Sequence, residues 1–177
     1  MRSLIPMGVV SLLSLVKGAE TNLQSIYPKK NMWKPKIKSM NWFVRIITFG
    51  WAAGITLAPF VIYIQDKYLN QKGIIVHENI HWKQQLEMMV LGAILAVLTG
   101  ILLMSFGTVS WWLLLLLAFP FLFFYLWYVI EWLIKIPFNG RKAYGSISFE
   151  REANCYEYNE TYLVIRKRFA WLRFINK

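Results

Sequence analysis

The chain has 177 residues, of which 57% are apolar, with nine Trp, twelve Phe and a formal net charge of +11. That length allows one sizeable domain, but the apolar share exceeds what a soluble domain needs and makes a membrane the first environment to consider. A single cysteine, Cys155, excludes an intrachain disulfide and with it a secreted, disulfide-stapled fold.

Residues 1–19 have one positive residue near the start, an apolar centre from Leu4 to Val16 and small residues after it, the outline of a signal peptide. Pro6 and Lys17 interrupt that outline, and an interfacial segment fits equally well. Residues 21–41 are polar, basic and broken by Pro28 and Pro35, which predicts a surface linker. Its bases read as a flank that fixes topology in preference to a site for anionic lipid. Residues 1–41 are therefore set apart from one membrane-embedded domain over residues 42–177. Ile46 to Ile64 is long enough for a span, but Gly50, Gly54, Pro59 and the run of β-branched residues favour an extended or edge-strand element over Gly54 to Ile64.

A helix is predicted from about Ile74 through His81, Gln84, Gln85 and Glu87, running without a breaker into a first span over residues 88–106. A second span is predicted over residues 111–130, with Phe106 to Ser110 as the turn; each stretch approaches the roughly 20 residues that cross a bilayer as helix. Trp111-Trp112 and Trp132, about 30 Å apart at helical rise, would mark the two interfaces of the second span. The net charge could point to nucleic acid, but its placement does not. Lys29, Lys30, Lys34, Lys36, Lys38 and Arg45 precede the hairpin, Lys135, Arg141, Lys142, Arg151 and Arg166 are among those that follow it, and the turn has none. Both flanks then belong on the cytoplasmic side.

Beyond the second span, Pro137, Asn139-Gly140 and Gly145 predict a loop, with Ser146 or Ser148 capping a helix that starts near Phe149. The tail from Arg166 to Phe174 alternates bases with aromatics; it suits a lipid interface, and packing on the core is an equally simple reading.

His77-Glu78-Asn79-Ile80-His81 uses both histidines of the chain. Composition alone would give a His-Glu-x-x-His string in roughly one chain in two thousand. On a helix His77 and His81 are one turn apart on one face, so both imidazoles reach a single ion. Glu78 is rotated by about 100°, which places it to act as general base on a water and then as proton shuttle to a leaving amine. Two neutral imidazoles and one carboxylate favour Zn2+, with the fourth tetrahedral position left to water. The third ligand has to come from elsewhere in the chain.

Glu150-Arg151-Glu152-Ala153-Asn154 resembles the Glu-bearing helical motif that follows the HExxH helix in gluzincin metallopeptidases. The resemblance puts Glu150 in the ligand position, with Glu152 as the alternative. Asn154, at i+4 from Glu150, would accept a bond from a ligand imidazole. Over about residues 54–170 the chain is also similar to short bacterial HExxH proteins, on His77-Glu78, Gln84-Gln85, Glu131, Ala143-Tyr144 and Phe149 to Ala153, with an extra apolar stretch around residues 90–118. The family analogy also gives the edge strand a role in binding extended peptide. Tyr144, Tyr156 and Tyr158 could supply a donor to an oxyanion, but aromatic packing is the better reading of each.

The sequence thus predicts a mainly α fold: a zincin-like minimal core of HExxH helix, Glu-bearing helix and short edge strand, joined to a transmembrane helical hairpin. Its expected function is membrane-embedded zinc metallopeptidase at the cytoplasmic face, with lipid bilayer and a peptide or protein substrate as partners, no nucleic acid and no evident obligate protein partner. The competing reading is a non-catalytic membrane protein in which the metal is a structural clasp. A di-iron carboxylate bundle needs two Glu-x-x-His pairs, and this chain has one.

Overall fold

The computed structural model describes residues 35–48, 52–107 and 110–176, so the expectations for residues 1–19 and for the linker before Pro35 lie outside the described residues. Five α-helices and three short strands make up the unit from Pro35 onward: β1 (Lys36–Ser39), α1 (Trp42–Ile47), β2 (Gly54–Leu57), β3 (Val61–Ile64), α2 (Lys72–Ser105), α3 (Phe119–Asn139), α4 (Ser148–Tyr156) and α5 (Tyr162–Ile165). The last residues of the expected linker, Lys36–Ser39, are therefore strand.

β3 is the central strand, parallel to β1 and antiparallel to β2. Its period of two buries Ile62 and Ile64, which pack with Ala58 against Trp82 of α2. The element expected over Gly54–Ile64 is a hairpin, not one strand, turning at Ala58-Pro59-Phe60 through a cis peptide before Pro59. Phe60 N–H closes it by donating to Leu57 O at 2.9 Å. β1 and β2 are the two edges, so of the expected element β2 is an edge strand while β3 is central, and the described part of residues 46–64 contains no span.

With no proline to interrupt it, α2 continues for 34 residues, about 51 Å at helical rise. Its first half is a core helix, burying Val76, Glu78, Ile80, His81, Trp82, Gln84, Gln85 and Met88. Beyond Met88 only Gly92 and Ala96 are buried, while Val90, Ile94, Leu98 and Ile101 are exposed. Gly92 is required where it stands: a Cβ there would lie 2.9 Å from Phe123 Cβ and 3.0 Å from Pro120 Cα, so its absence sets how closely α2 and α3 pack.

The second apolar helix is displaced from its expected bounds of 111–130. Trp111–Leu117 forms a 3-10 segment, and the α-helix begins at Phe119, where Pro120 fits because the first turn has no use for its amide hydrogen. It then runs to Asn139, so Trp111 and Trp132 do not share one helix and give no measure of bilayer thickness. Both α2 and the α3 segment are long and apolar enough to cross a membrane, and only 17% and 11% of their most apolar windows are buried, unlike core helices of a soluble protein.

The helix carrying Glu150 starts at Ser148, but neither serine caps it. Ile147 is the N-cap residue, and the free amide end is satisfied from α3: Ser148 N–H donates to Glu131 Oε1 at 2.7 Å and its hydroxyl to Glu131 Oε2 at 2.6 Å. Lys135, one turn further along α3, pairs with Glu131 at 2.8 Å. The tail packs on the core through Trp171, whose ring lies 4.7 Å from Phe149 and 5.7 Å from Trp127.

Candidate metal centre

The helical spacing of His77 and His81 brings their Nε2 atoms to 3.1 Å. Glu150, delivered by α4, closes the triangle: Oε2 lies 3.6 Å from His77 Nε2 and Oε1 lies 3.3 Å from His81 Nε2. Two donors bound tetrahedrally to one zinc at the usual bond lengths of about 2.0–2.1 Å are about 3.3 Å apart. The donor set therefore fits such an ion in both chemistry and spacing. Among the described residues, these three form the group of His, Cys, Asp and Glu side chains able to share a cation.

Each imidazole is oriented through its other nitrogen. His81 Nδ1 lies 2.7 Å from Gln84 Oε1, and His77 Nδ1 lies 3.2 Å from Glu157 Oε2. With these oxygens accepting, Nδ1 carries the hydrogen and Nε2 is the nitrogen turned to the centre, able to bind an ion once it holds no proton. Asn154, expected in that role, is instead exposed. Seven residues from Glu150 return a helix to within about 20° of the same face, closer than the 40° of four residues, and Glu157 is also far enough along to reach the outer nitrogen of His77.

Glu152 is not a member of the triangle. Fully buried, it accepts from Gln84 Nε2 at 3.0 Å, Tyr162 hydroxyl at 2.8 Å and Arg166 Nε at 2.5 Å, while Arg166 also pairs with Glu87. Burial disfavours the Arg166 charge, but the two carboxylates more than compensate and raise its pKa further. Gln84 thus joins His81 to α4 twice over, since its amide also donates to Phe149 O at 3.1 Å. Its neighbour Gln85 does the same for the sheet, donating to Thr56 O at 2.7 Å and accepting from Ala58 N–H at 2.8 Å.

Glu78 is buried beside β2, where Thr56 hydroxyl donates to Oε2 at 2.7 Å. A Cβ on Gly54 would fall 2.7 Å from Glu78 Oε1, so the glycine leaves the room this carboxylate occupies. On the edge of β2, Thr56 O also accepts from Tyr125 hydroxyl at 3.0 Å. With Gln85 on Thr56 and Ala58, the far half of that edge is filled by the protein itself, leaving less strand for a peptide to pair with than the edge-strand analogy implies.

Of the three tyrosines considered from sequence, Tyr144 reaches the centre, donating to Glu150 Oε1 at 3.0 Å; Tyr128 of α3 donates to the same oxygen at 2.8 Å. Tyr156 stacks on Tyr162 at 3.7 Å and Tyr158 is exposed. Burial and the Glu150 charge raise the Tyr144 phenol, which stays a donor. Burial alone would raise the Glu150 carboxyl, yet the imidazoles of His81 and His77 hold it well below the usual range. For His81 burial lowers the pKa and Glu150 raises it, with a net rise to about 9. The metal-free centre thus retains a proton where the carboxylates favour positive charge.

Tyr128, Glu157 and Thr56 are not legible in the sequence as parts of the site because each contact joins residues at least 22 apart. Gln84 follows His81 at i+3 on the helix, a local signal for that contact, whereas its bonds to α4 and those of Gln85 to the sheet are long-range. Compared with known proteins, the chain matches no family model, no curated protein and no solved structure.

Proposed function

We propose that the protein is a zinc-dependent peptidase anchored in the membrane by the α2–α3 hairpin, with its metal centre on the cytoplasmic side. The observation that carries this reading is the His77–His81–Glu150 triangle, with sides of 3.1–3.6 Å, next to a buried glutamate one residue after the first histidine. Three protein donors are the number found at catalytic zinc sites, whereas structural sites close with four. That count favours the enzyme over a metal clasp. The combination of His helix, Glu helix and neighbouring edge strand supports a zincin-like core, and the basic flanks of the hairpin support the cytoplasmic placement.

His77, His81 and Glu150 would hold the ion, which when bound supplies Lewis acidity and lowers the pKa of water to about 7. Glu78 takes the proton of the attacking water on its carboxylate and returns it to the leaving amine. Thr56 fixes Oε2 of that carboxylate, and the space at Gly54 admits the other oxygen. Gln84 and Glu157 keep the imidazoles in the tautomer that binds, while Tyr144 and Tyr128 fix the Glu150 carboxylate by donating to its Oε1.

The purified protein is expected to contain about one zinc per chain. His77→Ala or Glu150→Ala should lose it, while Glu78→Gln should keep it and lower peptide hydrolysis by about 10²–10⁴-fold. Products are to be sought by mass spectrometry of membranes exposed to the native chain or to Glu78→Gln. Zinc retained without Glu150, or identical products from both proteins, would overturn the proposal.

A further inference from the structure

The C-terminal turn separates its bases into two kinds. Arg166 is buried between Glu87 and Glu152. Lys167, Arg168 and Arg173 are exposed, and no acid among the described residues pairs with them. Their height on the molecule is fixed by their neighbours. Trp171 belongs to the buried cluster that contains Met88, and Phe169, Leu91 and Trp127 pack on that cluster, at the level where α2 changes from a buried helix to one with an exposed apolar face. On the membrane reading given above, on which this inference rests, that level is the boundary of the hydrocarbon.

Lys167 and Arg173 also line a cavity of about 170 Å³ with Tyr156, Tyr162, Ile165 and Phe174. No acid lines it. Leu172, Val164 and Ile165, in the same segment, are more than half or half exposed and apolar. Cations and apolar side chains are thus offered together at one height, the combination that suits a charged headgroup with its acyl chains.

We propose that this turn is a binding site for an anionic phospholipid, with the phosphate held by Lys167, Arg168 and Arg173 and the acyl chains lying along Leu172 and the exposed face of α2. Free phosphate shares the headgroup chemistry but has nothing to place on the apolar residues. A charge flank that merely sets topology would show no saturable preference for one lipid and no dependence on these three residues in particular.

The full chain, purified in neutral detergent, is titrated with dioctanoyl phosphatidylglycerol, dioctanoyl phosphatidylcholine or inorganic phosphate. Binding is read by native mass spectrometry and by the rise in unfolding temperature. The anionic lipid should bind saturably and in preference to the zwitterionic one. Lys167→Gln, Arg168→Gln and Arg173→Gln together should weaken it roughly a hundredfold, while Arg141→Gln with Lys142→Gln, which removes charge elsewhere, should leave it in place. Equal binding of phosphatidylcholine, an equal saturable effect of phosphate, an unchanged triple variant or an equal loss in the control variant would each overturn the site. Carbonate-resistant recovery in membranes and zinc content are read on the same preparation. Failure of either refutes the membrane peptidase, and failure of lipid capture with both intact refutes only this site.

Discussion

The two halves of α2 are built from opposite rules. From Lys72 to Met88 the helix buries polar side chains, and each of Glu78, His81, Gln84 and Gln85 has a named partner on another element or on the helix itself. From Met89 to Ser105 it exposes apolar side chains and buries little beyond small residues against α3. One unbroken helix therefore joins a region where position is set by hydrogen bonds to one where it is set by close backbone approach. In the first kind a buried carboxylate or amide that loses its partner costs its full desolvation, although the Trp82 indole N–H is buried there without a partner among the described residues.

That contrast is tested most severely at Glu152. Glu152→Ala would leave the Arg166 guanidinium short of one carboxylate inside the protein and free the Gln84 amide, for an expected loss of about 3–5 kcal/mol in chemical unfolding and a weaker hold on zinc. A loss under 1 kcal/mol would mean that the network is not structural. The same comparison can be made with one residue type. Ile80, fully buried, should cost about 2–5 kcal/mol on conversion to Ala, whereas Ile101→Ala, on the exposed face, should stay within about 0.5 kcal/mol. Equal costs would place Ile101 in an interface.

A smaller effect is expected at Gly54. Gly54→Ala puts a methyl carbon into the space of Glu78 Oε1, and with Glu78 as the general base proposed above, a displacement of about 1 Å should lower the rate on the order of 10²-fold. Zinc content should not change; its loss would show that the clash disturbs the helix and not the base alone.

The smallest effect is a pH dependence. The folded pKa of His81, about 9, lies above its ordinary value of 6.5. In the metal-free protein the protonated ring contributes stability that is fully present below about pH 6.5 and lost as pH rises through about 9. Zinc takes the place of that proton, so uptake between these values should release close to one proton from this ring, measurable by calorimetry in buffers of different ionisation heat. Release that is absent at pH 7.5 would show His81 already neutral.

Much of this architecture was readable before the fold. The HExxH string, the continuous helix and the two apolar stretches are local patterns, and Glu150 could be singled out by the motif around it. What escaped was long-range. The 3-10 segment at Trp111–Leu117 is as apolar as the helix after it, so hydropathy could not find the boundary at Phe119. Ser148 looks like a cap by composition, yet the oxygen that satisfies the helix end belongs to Glu131, seventeen residues earlier. Helical spacing from Glu150 alone points to Asn154, but His77 lies nearer the end of α4 and meets Glu157.

The Glu131 contact has a consequence for control. The helix that presents Glu150 takes its starting point from a carboxylate rooted in α3, and Tyr128 of the same helix holds the Glu150 oxygen directly. On the membrane reading proposed above, a tilt of α3, such as a bilayer thicker or thinner than its apolar length would impose, would be transmitted toward that oxygen through these three hydrogen bonds. Zinc affinity should then vary with acyl-chain length in reconstituted vesicles, which would make the centre a gauge of bilayer thickness; an affinity flat across chain lengths would show the two helices to be mechanically uncoupled.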